Sequence, residues 1–260
     1  MPKENRTIKD RQVMIIRVLV LFSAILLWEL LAASGIIDTF FFGQPSAIAL
    51  DMKEAFITGE ILPHIIITME EALAGLVIGT LTGIITAYIL EKLETTAQVI
   101  DPIIMAFYGI PKLALGPIFI LWFGLGMKSK IVLAALMVFF LVFFNAYAGF
   151  RNVDKVLINT VKLMGANSRQ ITFKVVLPSA VPWLMAGIKA GLGAALLGAV
   201  VGEYIGASAG LGWMVEFAGS MFDIARVFTC IIVLMTIMAI LNAALNYVER
   251  RLLKWRPITE

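Results

Sequence analysis

Apolar residues in this chain fall into six long runs separated by short polar or turn-forming stretches. The runs cover about 13–33, 72–90, 100–123, 131–148, 183–201 and 228–247. Each is close to the ~20 residues that a helix needs to cross roughly 30 Å of hydrocarbon. Lys3, Arg6, Lys9 and Arg11 precede the first run, and Glu29 lies near its end. A cleaved signal peptide processed near Ala32-Ala33-Ser34 is the rival reading of that run, although a signal core is usually only ~7–15 residues. Between the first two runs, Gly43, Pro45 and Ser46 mark a break. Pro45 opens a segment in which Ile48, Met52, Ala55 and Phe56 recur at helical spacing, which predicts a short amphipathic helix at the interface. Glu70 and Glu71 are expected at the outer edge of the second span.

Small residues and prolines refine this picture. Gly75, Gly79 and Gly83 recur every fourth position in the second run, as do Gly187/Gly191 and Gly198/Gly202 in the fifth. Such spacing lets helices approach closely in lipid, either within one chain or at a seam between chains. The third run contains Pro102, Pro111 and Pro117, with Lys112 and Gly116 beside two of them. Proline removes a backbone donor and clashes with the preceding turn. In hydrocarbon that defect persists only where protein or a water-filled cavity satisfies the freed carbonyls. The third span therefore faces the protein interior, as a path-lining helix or a merely kinked one. Phe139, Phe140, Phe143 and Phe144 in the fourth run read as packing or lipid surface.

Composition narrows the class. Hydrophobic residues make up 60% of the 260 positions, charged residues 15%, and the mean hydropathy is +0.94. Soluble domains carry about 25% charge. The expectation is an all-α integral membrane protein with one transmembrane domain over 1–260. Cys230 is the lone cysteine and His64 the lone histidine, so neither an intrachain disulfide nor a zinc site is expected, nor any other metal or cofactor. Lysine and arginine set the orientation. With the N-terminus cytoplasmic, that side holds Lys3, Arg6, Lys9, Arg11, Lys92, Arg151, Lys155, Lys162, Arg169, Lys174, Arg250, Arg251, Lys254 and Arg256. The outer side holds Lys53, Lys128, Lys130 and Arg226, while Arg17, Lys112 and Lys189 lie in or at the edge of spans. Both termini are thus expected in the cytoplasm, and topology accounts for the basic residues without nucleic acid.

The longest cytoplasmic loop, 151–182, reads DKVLINTVKLMGANSRQITFKVVLPSAVP from Asp154. Leu157, Val161 and Met164 share helical spacing, Gly165 interrupts, and Ile171 and Val175 lead to Leu177-Pro178. The pattern predicts a helix, a glycine turn and a second helix ended before Pro178. An apolar hairpin on the watery side of a membrane protein needs a cover, either a partner or its own spans. Lys189 and Glu203 are ionisable groups in or beside the fifth span, which makes them functional candidates. Lys189 is close enough to the cytoplasmic end to snorkel.

Gly165, Val175, Leu177 and Pro178 stand at the spacings of a cytoplasmic signature, and the chain here resembles the permease subunits of ATP-binding-cassette importers. Asp101-Pro102, Gly109-Ile110-Pro111-Lys112-Leu113-Ala114, Leu121-Trp122-Phe123-Gly124-Leu125-Gly126, Leu177-Pro178-Ser179-Ala180-Val181-Pro182, Gly187-Ile188-Lys189, Gly202-Glu203 and Gly210-Leu211-Gly212 resemble the branch that imports nitrate, sulfonates, taurine and related small molecules. The resemblance implies the six-span type I importer fold and a coupling helix seated in a groove of the ATPase. Asn159, Met164, Gly165, Ala166, Leu177 and Pro178 would carry that contact. The family's acid-Ala-Ala triplet is here Asn159-Thr160-Val161, so one carboxylate contact is missing.

The implied partners are two ATPase subunits, a second permease chain (a homodimer ahead of a heterodimer) and an extracytoplasmic substrate-binding protein. Tyr108, Pro111, Lys189 and Glu203 are the candidates for the translocation path, with Glu203 and Tyr204 near the binding protein. No GxxxxGK[ST] phosphate loop occurs, so the chain is not expected to be an enzyme and ATP must act through a partner. The alternative is a self-sufficient secondary transporter or another polytopic membrane protein, for which few intramembrane acids are available.

Overall fold

We describe residues 3–254 of a computed structural model, with side chains from residue 13 onward except residue 94. Arg256, and the side chains of Lys3, Arg6, Lys9 and Arg11, lie outside the described residues. Helices dominate, and no strand occurs among the described residues. The chain divides into two compact units: Met1–Ile61 with Val215–Ile232, and Leu62–Met214 with Val233–Glu260.

The first unit begins with α1 (Lys3–Ala33), followed by α2 (Thr39–Phe42) and α3 (Pro45–Ile57). Pro45 stands in the first turn of α3, where its missing N–H costs nothing. At 13 residues, α3 is about 20 Å long, too short to cross the bilayer. Glu29, the costly acid of α1, accepts from Ser46 N–H at 3.0 Å, Ser46 Oγ at 2.9 Å and Gln44 Nε2 at 2.7 Å. Its carboxylate thus caps the open N-terminus of α3. Arg226 completes the unit by bridging Asp51 at 2.9 Å and Glu60 at 3.0 Å.

The second unit contains most of α4 (Ile61–Lys92), then α5 (Glu94–Gly109), a 3₁₀ turn (Lys112–Leu115), α6 (Gly116–Phe123) and α7 (Met127–Arg151). After these come α8 (Lys155–Leu163), α9 (Ser168–Ile171), a π turn (Thr172–Val176) and α10 (Leu177–Gly206). Two further helices, α11 (Leu211–Ser220) and α12 (Ile224–Leu252), continue into this unit from the first or run back to it. α7 is the centre: Ala134, Val138, Val142 and Ala146 along it are fully buried. Glycines from two neighbours press against it. A methyl added at Gly75 would meet Ala134 Cβ at 2.5 Å, one at Gly79 would meet Ala135 O at 2.5 Å, and one at Gly83 would meet Phe139 O at 2.9 Å. On α10, Gly187 approaches Val142, Gly191 approaches Val138 and Gly198 approaches Ala134. The glycine stripes therefore serve packing within the chain, and the phenylalanines at 140 and 143 are buried in the same core.

These pairings also fix direction. Contacts from α4 climb α7 in register, so the two helices are parallel; contacts from α10 descend it, so that pair is antiparallel. Among the described residues, five helices are long and apolar enough to cross a membrane, and α5 with α6 forms a further pair bent by 82°. Because α4 and α7 run the same way, the chain between them must return, and the bent pair is one crossing. The end of α7 shares a core with the α4–α5 junction through Leu90, Ala97, Phe150 and Val153. Lys189 of α10 pairs with Glu249 of α12, while Leu234 packs against the cluster of Ala72, Leu196 and Ala199, so α12 runs antiparallel to α10. The 92–94 junction, the 152–167 segment and the end of α12 consequently share one side.

Two boundaries differ from the sequence expectation. α4 starts at Ile61, not near 72: Pro63 is tolerated in a first turn, and Glu71 is enclosed within the helix packing beside Glu203 and Lys130. The second loop helix does not end before Pro178: Ser168 to Gly206 forms one candidate span, with Pro178 in the first turn of α10. The proline ring would clash with the carbonyl four residues back, at Lys174, and the wider π turn lies at that place.

If the glycine contacts hold α4 on α7, Gly79→Leu should lower the thermal midpoint of the purified protein clearly, by the overpacking cost of roughly 1–3 kcal/mol. Gly219→Ala, with open space around it, should leave that midpoint unchanged.

Candidate functional site

The 152–176 segment is built by local chemistry. Asp154 caps α8 by accepting from Val156 N–H at 2.7 Å. Ile158 and Val161 turn inward against the core formed with Ile171 and Val175. The helix ends in a Schellman turn: Ala166 N–H donates to Val161 O at 3.0 Å and Gly165 N–H to Lys162 O at 2.9 Å. Gly165 has φ +86°, the left-handed conformation that such a turn requires. Asn167 and Gln170 then exchange side chain-to-backbone bonds at 2.9 Å, a capping box that starts α9.

The outward face of this hairpin is apolar yet uncovered. Leu163 is 91% exposed, Met164 81% and Val156 71%. Asn159 and Thr160 lie on the same exposed face, and Lys155, Lys162, Arg169 and Lys174 surround it. A recess of about 310 Å³ opens between Met164, Gly165, Gln170 and Lys174. The expected stripe is thus divided: Val161 faces the core, whereas Met164, past the last helical residue, faces out. Ala166, Leu177 and Pro178 are half-buried behind it and root the hairpin in α10.

The second feature is the break in the bent pair. Ile110 and Pro111 are extended between α5 and the 3₁₀ turn. Lys112 Nζ donates to Tyr108 O at 2.8 Å and lies 4.4 Å from the Tyr108 ring centroid and 5.0 Å from that of Phe140. Tyr108 itself meets Phe140 and Phe144, and both Tyr108 and Pro111 are exposed on the chain's surface. The structure therefore brings these two path candidates together and adds Lys112. Its signal in the sequence was a lysine inside an apolar run.

Glu203, the third path candidate, is enclosed by the chain's own elements. It is 1% exposed, accepting from Thr68 Oγ1 at 2.6 Å and from Gly212 N–H at 2.7 Å. Thr68 accepts from Leu211 N–H at 2.8 Å, and His64 Nδ1 from Gly210 N–H at 3.0 Å. Gly210 has φ +109°, and a methyl there would overlap the Glu203 carboxylate. Glu71 and Lys130 lie beside Glu203, both almost fully buried. Lys130 also donates to Leu125 O, to Gly126 O at 3.2 Å and to Gly206 O at 2.6 Å. This cluster latches the 207–210 loop onto α4 and the start of α7.

Sequence reading missed Glu71 and Lys130 as members because it placed them at a span edge and in an outer loop. Lys189, by contrast, pairs with Glu249 of α12, sixty positions away, and both are part-exposed. Among the described residues, no group of His, Cys, Asp and Glu is arranged to hold a metal ion.

Comparison with known proteins bears on these features. Residues 79–254 match the family described as binding-protein-dependent transport system inner membrane component. The chain is similar to the putative aliphatic sulfonates transport permease of Bacillus subtilis, with 34% identity over 232 residues, covering 89% of this chain and 84% of that protein. To the taurine transport system permease of Escherichia coli it is 30% identical over 233 residues, covering 88% and 85%. In structure it is similar to the MetNI methionine ABC transporter in an inward-facing conformation, with a TM-score of 0.61 at 20% identity, covering 74% of this chain and 94% of that one. That last likeness concerns the fold.

The latch makes a stability prediction. Lys130→Met should destabilise the protein by about 3–5 kcal/mol, because it strands buried acids. Lys130→Met combined with Glu71→Gln should recover part of the loss. Thermal midpoints of the purified variants measure both.

Proposed function

Because the chain belongs to the binding-protein-dependent transport system inner membrane components, and is thereby a permease subunit of an ATP-binding-cassette importer, we propose that it forms half of a path for a small organosulfonate and is worked through its 154–178 hairpin by a separate ATPase. The uncovered apolar face at Leu163 and Met164 carries this reading. A surface that is neither folded away nor positioned in a lipid-length span calls for a protein partner. Lys92, Arg151, Lys155, Lys162, Arg169, Lys174, Arg250, Arg251 and Lys254 gather on the side to which the helix directions bring the hairpin. The positive-inside rule makes that side cytoplasmic, where nucleotide is available.

In this arrangement Gly165 supports the turn that presents Met164, while Asn159 offers an amide where an acid would otherwise meet the motor. Leu177 and Pro178 join the hairpin to α10, so a push on α8 is delivered to α10 and to α7 packed on it. ATP binding closes the ATPases and rocks these helices between two packings, which is alternating access. A second copy of the chain completes the path, and an extracytoplasmic binding protein delivers the solute on the opposite side. Sulfonate as cargo is supported by the relatives named for aliphatic sulfonates and taurine. Permeases named for riboflavin and formylaminopyrimidine are similar at 30% and 29% identity, so a ligand screen of the binding protein encoded alongside is the direct check on cargo.

Two variants test the coupling role. Gly165→Val forces a β-branched side chain into the left-handed region, and Met164→Glu puts a charge on the docking face. Each should reduce co-purification of the ATPase or binding-protein-stimulated ATP hydrolysis roughly ten-fold or more, as loss of an interface anchor does. Normal stimulated hydrolysis and uptake in both variants would contradict the assignment, as would solute accumulation by this chain alone in vesicles.

A further inference from the structure

Lys112 lies level with the middle of a spanning helix. The ring of Phe140, over which its ammonium lies, belongs to the residue just past the midpoint of α7, which runs from Met127 to Arg151. A cation at that depth is costly and is retained where it faces a bundle interior or a water-filled cavity. Two other lysines in the helices of this unit, the buried Lys130 and the half-buried Lys189, have carboxylates at hand: Lys130 has Glu71 and Glu203, and Lys189 has Glu249. Among the described residues Lys112 instead has one backbone carbonyl and two ring faces. These hold the ammonium in place and leave its charge uncompensated.

Its surroundings are also open. Tyr108, Ile110, Pro111 and Leu113 are exposed on the surface of the chain, and a side chain added at Gly109 would meet nothing within 4 Å. Helix breaks at the bilayer midplane are where transporters of many folds place their ligand contacts, because unwound backbone survives there only beside a cavity. We infer that Lys112 faces the translocation path at the helix break and gives it a preference for anionic solutes such as sulfonates. This inference rests on the permease reading above and adds the charge of the cargo and the residue that sets it.

The test reads the field of Lys112 without requiring the cargo to be known. Ile110→Cys is introduced beside it in a Cys230→Ser background, and the complex with its ATPase is reconstituted. Rates of modification at position 110 by an anionic and a cationic membrane-impermeant methanethiosulfonate are compared. The anionic reagent should be favoured, and Lys112→Gln should lower the anionic-to-cationic ratio by roughly an order of magnitude, as expected for removing one unscreened charge nearby. Lys112→Arg should keep the ratio. Leu113→Cys serves as a second reporter if Ile110→Cys does not assemble, and binding-protein-stimulated ATP hydrolysis checks assembly in each case.

No reaction at either reporter in any nucleotide state, or a ratio unchanged by Lys112→Gln, would overturn the inference. A complex that hydrolyses ATP normally but gives one of those results sinks only the role of Lys112. Failure to associate with any ATPase would sink the permease reading itself.

Discussion

The contact of two glycine faces with α7 is the constraint on which the rest of the second unit depends. Lipid tails are as apolar as leucine, so burial alone does not drive helices together in a bilayer. Gly75, Gly79 and Gly83 of α4, and Gly187, Gly191 and Gly198 of α10, bring those helices within backbone contact of α7. Dispersion then acts over the whole length of three helices. At one end of this block the core of Leu90, Phe150, Val153 and Ile171 seats the hairpin. At the other end Glu203, Glu71 and Lys130 fasten the loop before α11. The hairpin that carries Leu163 and Met164 is thus rooted in the same packed block as α7 and α10.

The chain handles intramembrane charge in several physical ways. Glu29 takes donors from the start of α3 and so replaces its hydration with a helix terminus. Glu203 is satisfied by a threonine and a backbone N–H, and Lys130 by three carbonyls. Lys189 uses a direct ion pair with Glu249. Buried pairs of this sort contribute little net stability, since desolvation offsets their attraction, but losing one partner is expensive. They fix the register between particular helices. Lys112 differs in its partners, which are one backbone carbonyl and two ring faces, with no carboxylate in ion-pair range among the described residues.

Much of the architecture was legible because the bilayer imposes simple rules. Six apolar runs of spanning length appear as five long helices and one bent pair, and the prolines at 111 and 117 mark the bend. The spacing of the glycines foretold close contact, and Gly165 foretold a left-handed turn. What the sequence hid were buried charged residues. Apolar runs were begun only after Glu71 and after Lys130 because a charge reads as a boundary. Their charged partners are more than fifty positions away and become visible only once α4, α7 and α10 are packed. Pro178 misled for a related reason: proline usually ends a helix, and the π turn that lets this one continue has no signature of its own.

The central claim is that the hairpin and α7 move as one body when the motor acts. Spin labels at Leu163 in the hairpin and at Met127 at the far end of α7 would measure it, in the assembled complex with and without ATP. The account predicts an intrachain distance that changes by less than roughly 2 Å, while the distance between the two copies of the Leu163 label shifts by several ångström as the domains rotate. An intrachain distance that changes as much as the interchain one would show the hairpin swinging freely on α7 and would contradict the account.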